Sequence, residues 1–278
     1  MEHFPRIAFL GGGNMANALV NGLLRRGCPL SHIHIVEVVD ALREQWQERG
    51  VSTCKHPDDV LAEHEVWVFA VKPQQMREVV MSVKPFMGEN TLVISIAAGI
   101  SMSSLSGWLG SDAQPWQRVV RCMPNTPALV SAGVTGMAAP VALPKEDRQT
   151  AEQLLSAVGE VVWVTDDQAI DAVTALSGSG PAYVFLFIEA LIAGGMALGL
   201  TAEQSRLLAL STLSGATKLA AESSESPAIL RERVTSKGGT TAAALEVFRT
   251  KHFEQTVQSA MQAASQRAAE LSAEFGRG

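Results

Sequence analysis

Through the first half of the chain, short β-branched and aliphatic runs alternate with longer stretches in which apolar positions recur every three or four residues. The runs predict strands over Arg6–Leu10, Ile33–Val38, Val66–Val71, Leu92–Ile96 and Val119–Met123. The stretches between them, such as Met15–Arg26, Ala41–Arg49 and Gln74–Val83, are long enough for the crossover helices that parallel strands require. Two more runs, Val134–Ala138 and Val161–Thr165, flank a helical segment over Lys145–Val158 and finish the expected sheet. From Asp167 onward strand signals stop, and Ala- and Leu-rich sequence predicts helices at 167–176, 180–199, 202–222, 226–233, 240–249 and 252–274. Gly107–Gln117 reads as a surface connection. The expectation is a doubly wound α/β domain over 1–166 and an all-helical domain over 167–278.

Several helices of the second half are apolar on more than one face, most clearly Tyr183–Leu198, and one small bundle could hardly cover them all. Self-association as a dimer or larger homo-oligomer is therefore expected. Ala182–Leu200 is apolar enough to raise the question of a membrane helix, but Glu189 sits within it and Gly194-Gly195 interrupt it. We read it as a buried helix of a core or subunit interface, with Glu189 a buried charge in need of a partner, and expect no membrane association.

A net charge of −6 without a basic run argues against nucleic acid and for a small-molecule partner. Cys28, Cys54 and Cys122 are odd in number and widely spaced, which suggests neither a disulfide framework nor a zinc site. With no secretory pattern between Met1 and Leu10, the expected location is the cytoplasm. Histidines at 3, 32, 34, 56, 64 and 252 show no ligand spacing and read as surface residues, so no metal is invoked.

The first strand runs into Gly11-Gly12-Gly13-Asn14-Met15-Ala16, which fits the GxGxx(G/A) turn of a dinucleotide-binding βαβ unit, and a second strand follows that ends at Glu37. Glycine lets backbone approach a pyrophosphate closely, and a helix N-terminus supplies free N–H groups and a favourable dipole. The first domain is thus Rossmann-type, with Leu10, Gly11, Gly13, Asn14 and Met15 as cofactor-binding candidates. Glu37 is placed to accept from adenosine ribose hydroxyls and to repel a phosphate there, which favours NADH over NADPH; Arg43, close by, complicates that electrostatics. The plainer alternatives are a tight strand-to-helix turn and a solvated strand-end charge.

Beyond the loop, Ala70-Val71-Lys72-Pro73-Gln74, Ser95-Ile96-Ala97-Ala98-Gly99, Arg121-Cys122-Met123-Pro124-Asn125-Thr126-Pro127, Ser177-Gly178-Ser179-Gly180-Pro181-Ala182-Tyr183 and Val234-Thr235-Ser236-Lys237-Gly238-Gly239-Thr240-Thr241 resemble, in order and spacing, the signatures of pyrroline-5-carboxylate reductases. The resemblance runs from about residue 6 to residue 250. It implies a helical dimerisation domain like the C-terminal domain of 6-phosphogluconate dehydrogenase, NADH or NADPH as cofactor, and reduction of the cyclic imine 1-pyrroline-5-carboxylate to proline. It also implies that Ala70, Val71, Lys72, Pro73, Ala97 and Ala98 border the nicotinamide half of the cofactor and that Asn125 is a positioner near it. On the residues alone, Lys72 is equally a solvated charge, Asn125 the satisfied side chain of a Pro-bounded turn, and Ser177–Pro181 a helix start.

Ser236–Thr241 lies between helical patterns, and its glycines allow backbone N–H groups to converge at the next helix, an arrangement suited to a carboxylate. By the resemblance, Ser236, Gly238, Gly239 and Thr240 hold the substrate carboxylate, and the Thr241 hydroxyl bonds the ring nitrogen as the catalytic group. Departures fall on the adenosine side, where Glu37-Val38 and Pro57 replace residues the family commonly uses. A β-hydroxyacid dehydrogenase would need a helix-borne lysine, and none occurs between Asp166 and Thr217.

Overall fold

The computed structural model describes residues 4–111 and 113–276. Eight strands form one sheet: β1 (Ile7–Leu10), β2 (Ile33–Val36), β3 (Ser52–Cys54), β4 (Val66–Phe69), β5 (Leu92–Ser95), β6 (Val119–Met123), β7 (Gly133–Ala138) and β8 (Gly159–Trp163). Their order is β3-β2-β1-β4-β5-β6-β7-β8. β1 to β6 are mutually parallel; β7 runs antiparallel to β6, and β8 parallel to β7. The sheet is therefore mixed at its far edge rather than parallel throughout. The connection from β6 to β7 is too short for the helical crossover that a parallel neighbour needs, so the chain turns back. The helices beside the sheet are α1 (Asn14–Arg25), α2 (Asp40–Glu48), α3 (Met76–Val83), α4 (Met102–Leu109) and α5 (Lys145–Leu155).

Strands β1, β2, β4 and β5 are buried at every position, as expected where helices cover both faces. One face packs Leu19 and Leu23 of α1, Trp46 of α2 and Leu154 of α5 against Ile7, Phe9, Ile33 and Ile35. The other packs Met76 and Val80 of α3 and Leu105 and Leu109 of α4 against Leu10, Trp67, Phe69 and Val93. α4 takes the first residues of the expected Gly107–Gln117 connection; Ser101 starts it by accepting the Ser104 N–H at 3.0 Å. Asp112, within that connection, lies outside the described residues, as does His3.

The remaining helices are α6 (Asp167–Val173), α7 (Gly180–Ala197), α8 (Ala202–Glu222), α9 (Pro227–Arg233), α10 (Thr240–Thr250) and α11 (Phe253–Gly276). The chain divides into two compact units, Met1–Ser179 with Ala264–Gly278, and Gly180–Ala263. Strands stop at Trp163, but packing changes only after Ser179. α6 stays with the sheet because the buried Arg121 of β6 donates to Asp167 at 2.7 Å and to Asp171 at 2.9 Å. Asp167 also accepts the Met102 N–H that opens α4, at 3.0 Å. At the other end, Leu271 and Phe275 of α11 lie against Gly99, whose φ of +71° favours glycine and where an added Cβ would stand 3.1 Å from Leu271 Cβ.

A π-helical turn over Thr174–Gly178 follows α6, and α7 begins at Gly180 with Pro181 in its first turn, the helix start that Ser177–Pro181 predicts. In the second unit, α7 and α8 approach closely at Gly195, where a Cβ would come within 2.7 Å of Ser205 Oγ. α8 is opened by Thr201 and Gln204 in a capping box. α7 buries none of its residues in the single chain: Val184, Phe185 and Leu186 are exposed, and so is Glu189, which sequence reasoning had buried. The span Asp167–Ala197 is long and apolar enough to cross a bilayer by length and composition alone.

Candidate active site

The turn after β1 is built by its glycines, each for a different reason. Gly11 has a φ of +101°, and a Cβ there would stand 2.7 Å from the Ala70 carbonyl oxygen. At Gly12 a Cβ would strike Trp46 Nε1 at 2.6 Å, the group whose N–H donates to the Gly12 carbonyl at 2.9 Å. Gly13 has an ordinary φ of −75°, and a Cβ there would meet no protein atom within 4 Å. Packing thus demands the first two glycines and not the third, so Gly13 leaves clear the space that a closely approaching ligand would use. Gly13 is the N-cap of α1 and brings no side-chain cap, which leaves the first-turn N–H groups at Asn14 and Met15 free for an anion. Ala16 is fully buried, where a larger side chain would push the helix off the sheet.

Glu37 is not a solvated strand-end charge. It is 7% exposed, and its carboxylate accepts the Gly12 N–H and the Val39 N–H, both at 2.8 Å. The side chain therefore ties the glycine loop to the end of β2. Around it, Arg43 donates to the Glu37 carbonyl at 3.2 Å and to Asp40 at 2.6 Å, while Lys55 lies 3.2 Å from the same Asp40 oxygen. Those two cations hold the Asp40 carboxyl below its ordinary range.

Leu10, Gly11, Glu37, Ala70, Ala97 and Asn125 all gather at the carboxyl ends of the parallel strands, where open α/β sheets bind ligands. The Ala70 N–H donates to the Leu10 carbonyl at 2.8 Å, which sets Ala70 and Val71 beside the glycine loop. Lys72 is exposed and precedes a short helical turn begun by Pro73. Ala97 is buried and Ala98 half-buried beyond β5. Asn125 is 8% exposed and its amide bonds backbone on both sides: Nδ2 donates to the Ser177 carbonyl of the π turn at 3.1 Å, and Oδ1 accepts the Val134 N–H at 2.9 Å. Its side chain is thus the satisfied group of a Pro-bounded turn, and it fastens the loop after β6 to the π turn.

Ser236–Thr241 lies in the second unit. Gly238 takes a φ of +71°, and the Gly239 N–H donates to the Ser236 carbonyl at 3.0 Å. Gly239 is the N-cap of α10 and supplies no side-chain acceptor. A Cβ on Gly239 would meet Ser236 Oγ at 2.4 Å, so the hydroxyl sits directly over the turn. Thr241 is half-buried in the first turn, with Thr240 exposed beside it. The loop thus presents hydroxyls beside uncapped N–H groups and carries one cation, Lys237, an arrangement suited to a small carboxylate.

Sequence reasoning missed two features of the first unit. His34 and His64 are buried, not superficial, and their rings lie 5.4 Å apart. The Arg121 pairing with Asp167 and Asp171 had no local signal, because its partners are remote in sequence. Glu189 is exposed in the single chain, on a helix that the expected subunit interface would cover.

A Rossmann-type unit with an open glycine loop, followed by helices with uncovered apolar faces, defines a nicotinamide-dependent oxidoreductase that self-associates. Residues 6–99 match the family described as NADP oxidoreductase, coenzyme F420-dependent, and residues 167–271 match pyrroline-5-carboxylate reductase dimerisation. The chain is 44% identical to a pyrroline-5-carboxylate reductase of Pseudomonas aeruginosa, covering 98% of this chain and 99% of that one. A solved pyrroline-5-carboxylate reductase from Coxiella burnetii superposes with a TM-score of 0.89 at 39% identity, over 97% of this chain and 99% of that one. One from Plasmodium falciparum, solved with NADP bound, gives 0.84 at 27% identity, over 96% and 98%. The chain belongs to the pyrroline-5-carboxylate reductase family.

Proposed function

We propose that the protein reduces 1-pyrroline-5-carboxylate to L-proline with NAD(P)H, the last step of proline biosynthesis. The observation that carries this reading is the pair of uncapped helix N-termini, one after Gly11-Gly12-Gly13 and one after Gly238-Gly239, each suited to a different anion. The first suits a pyrophosphate, and the clear space at Gly13 fits a dinucleotide lying against the backbone.

The bound nicotinamide supplies the hydride. The chain's own residues bind and orient. Ser236, Gly238, Gly239 and Thr240 hold the substrate carboxylate through hydroxyls and N–H groups. Thr241 hydrogen-bonds the ring nitrogen, which takes up a proton as the imine carbon takes the hydride. The proton comes from solvent: either the nitrogen already carries it when the hydride arrives, or the Thr241 hydroxyl passes one on, directly or through water, and regains one from water, so no stronger acid is needed. Ala70, Val71, Lys72, Pro73, Ala97, Ala98 and the loop carrying Asn125 border the nicotinamide half, and Leu10, Gly11, Gly13, Asn14 and Met15 the pyrophosphate.

NADH is favoured over NADPH. A 2′-phosphate at the end of β2 would face the Glu37 carboxylate, and the nearby cations Arg43 and Lys55 are already engaged by Asp40. The helical faces are read as the covered surface of a homodimer or larger homo-oligomer acting in the cytoplasm, without nucleic acid or membrane. The test is oxidation of NADH and NADPH followed by absorbance with pyrroline-5-carboxylate, with proline measured as product. Turnover faster with NADH is expected; no turnover with either cofactor refutes the reading, and NADPH preference refutes only the Glu37 argument.

A further inference from the structure

We propose that His34, Cys54 and Asp58 form a binding site for one zinc-class divalent cation on the β2–β3 edge of the sheet. His34 projects from β2 and Cys54 from β3, adjacent parallel strands in which Val36 is the register partner of Cys54. One donor atom from each of the three residues lies within 4.8 Å of the others. His34 Nε2 stands 3.3 Å from Cys54 Sγ. Tetrahedral zinc, with bonds of about 2.0 Å to imidazole nitrogen and about 2.3 Å to thiolate, sets those atoms roughly 3.5 Å apart, so the pair is already close to ligating geometry. A nitrogen, a sulfur and an oxygen donor form a mixed set that suits a borderline-soft ion.

The surroundings prepare each ligand. Ser52 Oγ lies 2.9 Å from His34 Nδ1; when Nδ1–H donates to it, the ring is oriented and Nε2 turns a lone pair toward Cys54. Burial and the neighbouring His64 push the His34 pKa down, which keeps the imidazole in the neutral form that binds metal. One Asp58 oxygen accepts the Val60 N–H at 3.1 Å, and its second oxygen is free for an ion. Asp58 is exposed and Cys54 half-buried, so the site has an entrance. Arg43 and Lys55, the nearby cations, are paired with Asp40. Without an ion, burial and the Asp58 charge push the Cys54 thiol up to about 11. Binding replaces the S–H bond with a sulfur–metal bond and releases that proton to solvent, with no change of oxidation state.

The probe is Co²⁺ titrated into chelator-stripped whole protein, read by absorbance. One equivalent is expected to give tetrahedral d–d bands and a near-ultraviolet thiolate-to-cobalt band, both displaced by Zn²⁺. Cys54→Ser, with folding checked by circular dichroism, loses the thiolate band, and Asp58→Asn at the exposed ligand weakens binding. Absence of a thiolate band in the unaltered protein overturns the site. So does a band that survives Cys54→Ser, or an affinity that Asp58→Asn leaves unchanged.

Discussion

Replacing Glu37 by alanine separates its two possible contributions, holding the loop and reading the cofactor. The carboxylate accepts two backbone N–H groups at 2.8 Å and is 7% exposed, so truncation leaves the Gly12 and Val39 donors unpaired at a largely dry position. Hydrogen bonds to a charged group contribute about 1.5–3 kcal/mol each, and water entering the vacated space recovers part of this. The expected loss for Glu37→Ala is therefore about 2–4 kcal/mol. Glu37→Gln keeps one acceptor oxygen but turns an NH₂ toward the other donor, and should lose about half as much. Urea unfolding at neutral pH measures both. The two variants should also bind NADPH better relative to NADH, because the charge facing a 2′-phosphate is gone. A loss below about 0.5 kcal/mol for Glu37→Ala, the size of an ordinary surface substitution, would refute the assignment of this side chain as the tie between β2 and the glycine loop.

Gly13→Ala should leave stability unchanged while raising the KM for the dinucleotide about tenfold or more, whereas Gly12→Ala should destabilise the fold through its clash with Trp46; steady-state kinetics beside thermal melts separate the two. Thr241→Ala should lower kcat/KM for pyrroline-5-carboxylate about 10- to 100-fold, the loss of one hydrogen bond to a charged or reacting group, with the melting temperature retained. Arg121→Met strands the Asp167 and Asp171 carboxylates and should cost about 3–5 kcal/mol in urea unfolding. Burial lowers the pKa of His34 and His64 below the ordinary 6.5, so the unfolded chain takes up protons that the native one refuses. Their contribution is complete above pH 6.5 and falls as pH drops through that value, so urea midpoints should fall between pH 7.5 and 5.5, less steeply in His64→Gln.

Most elements of the sheet were legible because a strand buried on both faces announces itself as an unbroken apolar run, as in Ile7–Leu10 and Val66–Phe69. β3 was not, because a three-residue edge strand reading Ser-Thr-Cys carries no such run. α4 was hidden by its serines, which favour caps and turns over helix interiors until Leu105 and Leu109 find a core. The direction of β7 depends on the length of a connection, not on the character of the strand. Within the site, the glycine loop was readable residue by residue, since its chemistry is local. Glu37 was identified but not its bonds to Gly12 and Val39, and the burial of His34 follows from β3, which periodicity had not supplied.

The final turns of α11 rest on Gly99 and belong with the sheet, although more than eighty residues of the other unit intervene. The sheet unit is therefore assembled from segments on both sides of the second unit, and during synthesis the α11 segment leaves the ribosome only after the whole of that unit. Until then, the apolar surface around Gly99 and Ile100 waits uncovered in the nascent chain. A reporter of sheet-unit completion, such as protease resistance of stalled chains, should switch on only once Leu271 and Phe275 have emerged.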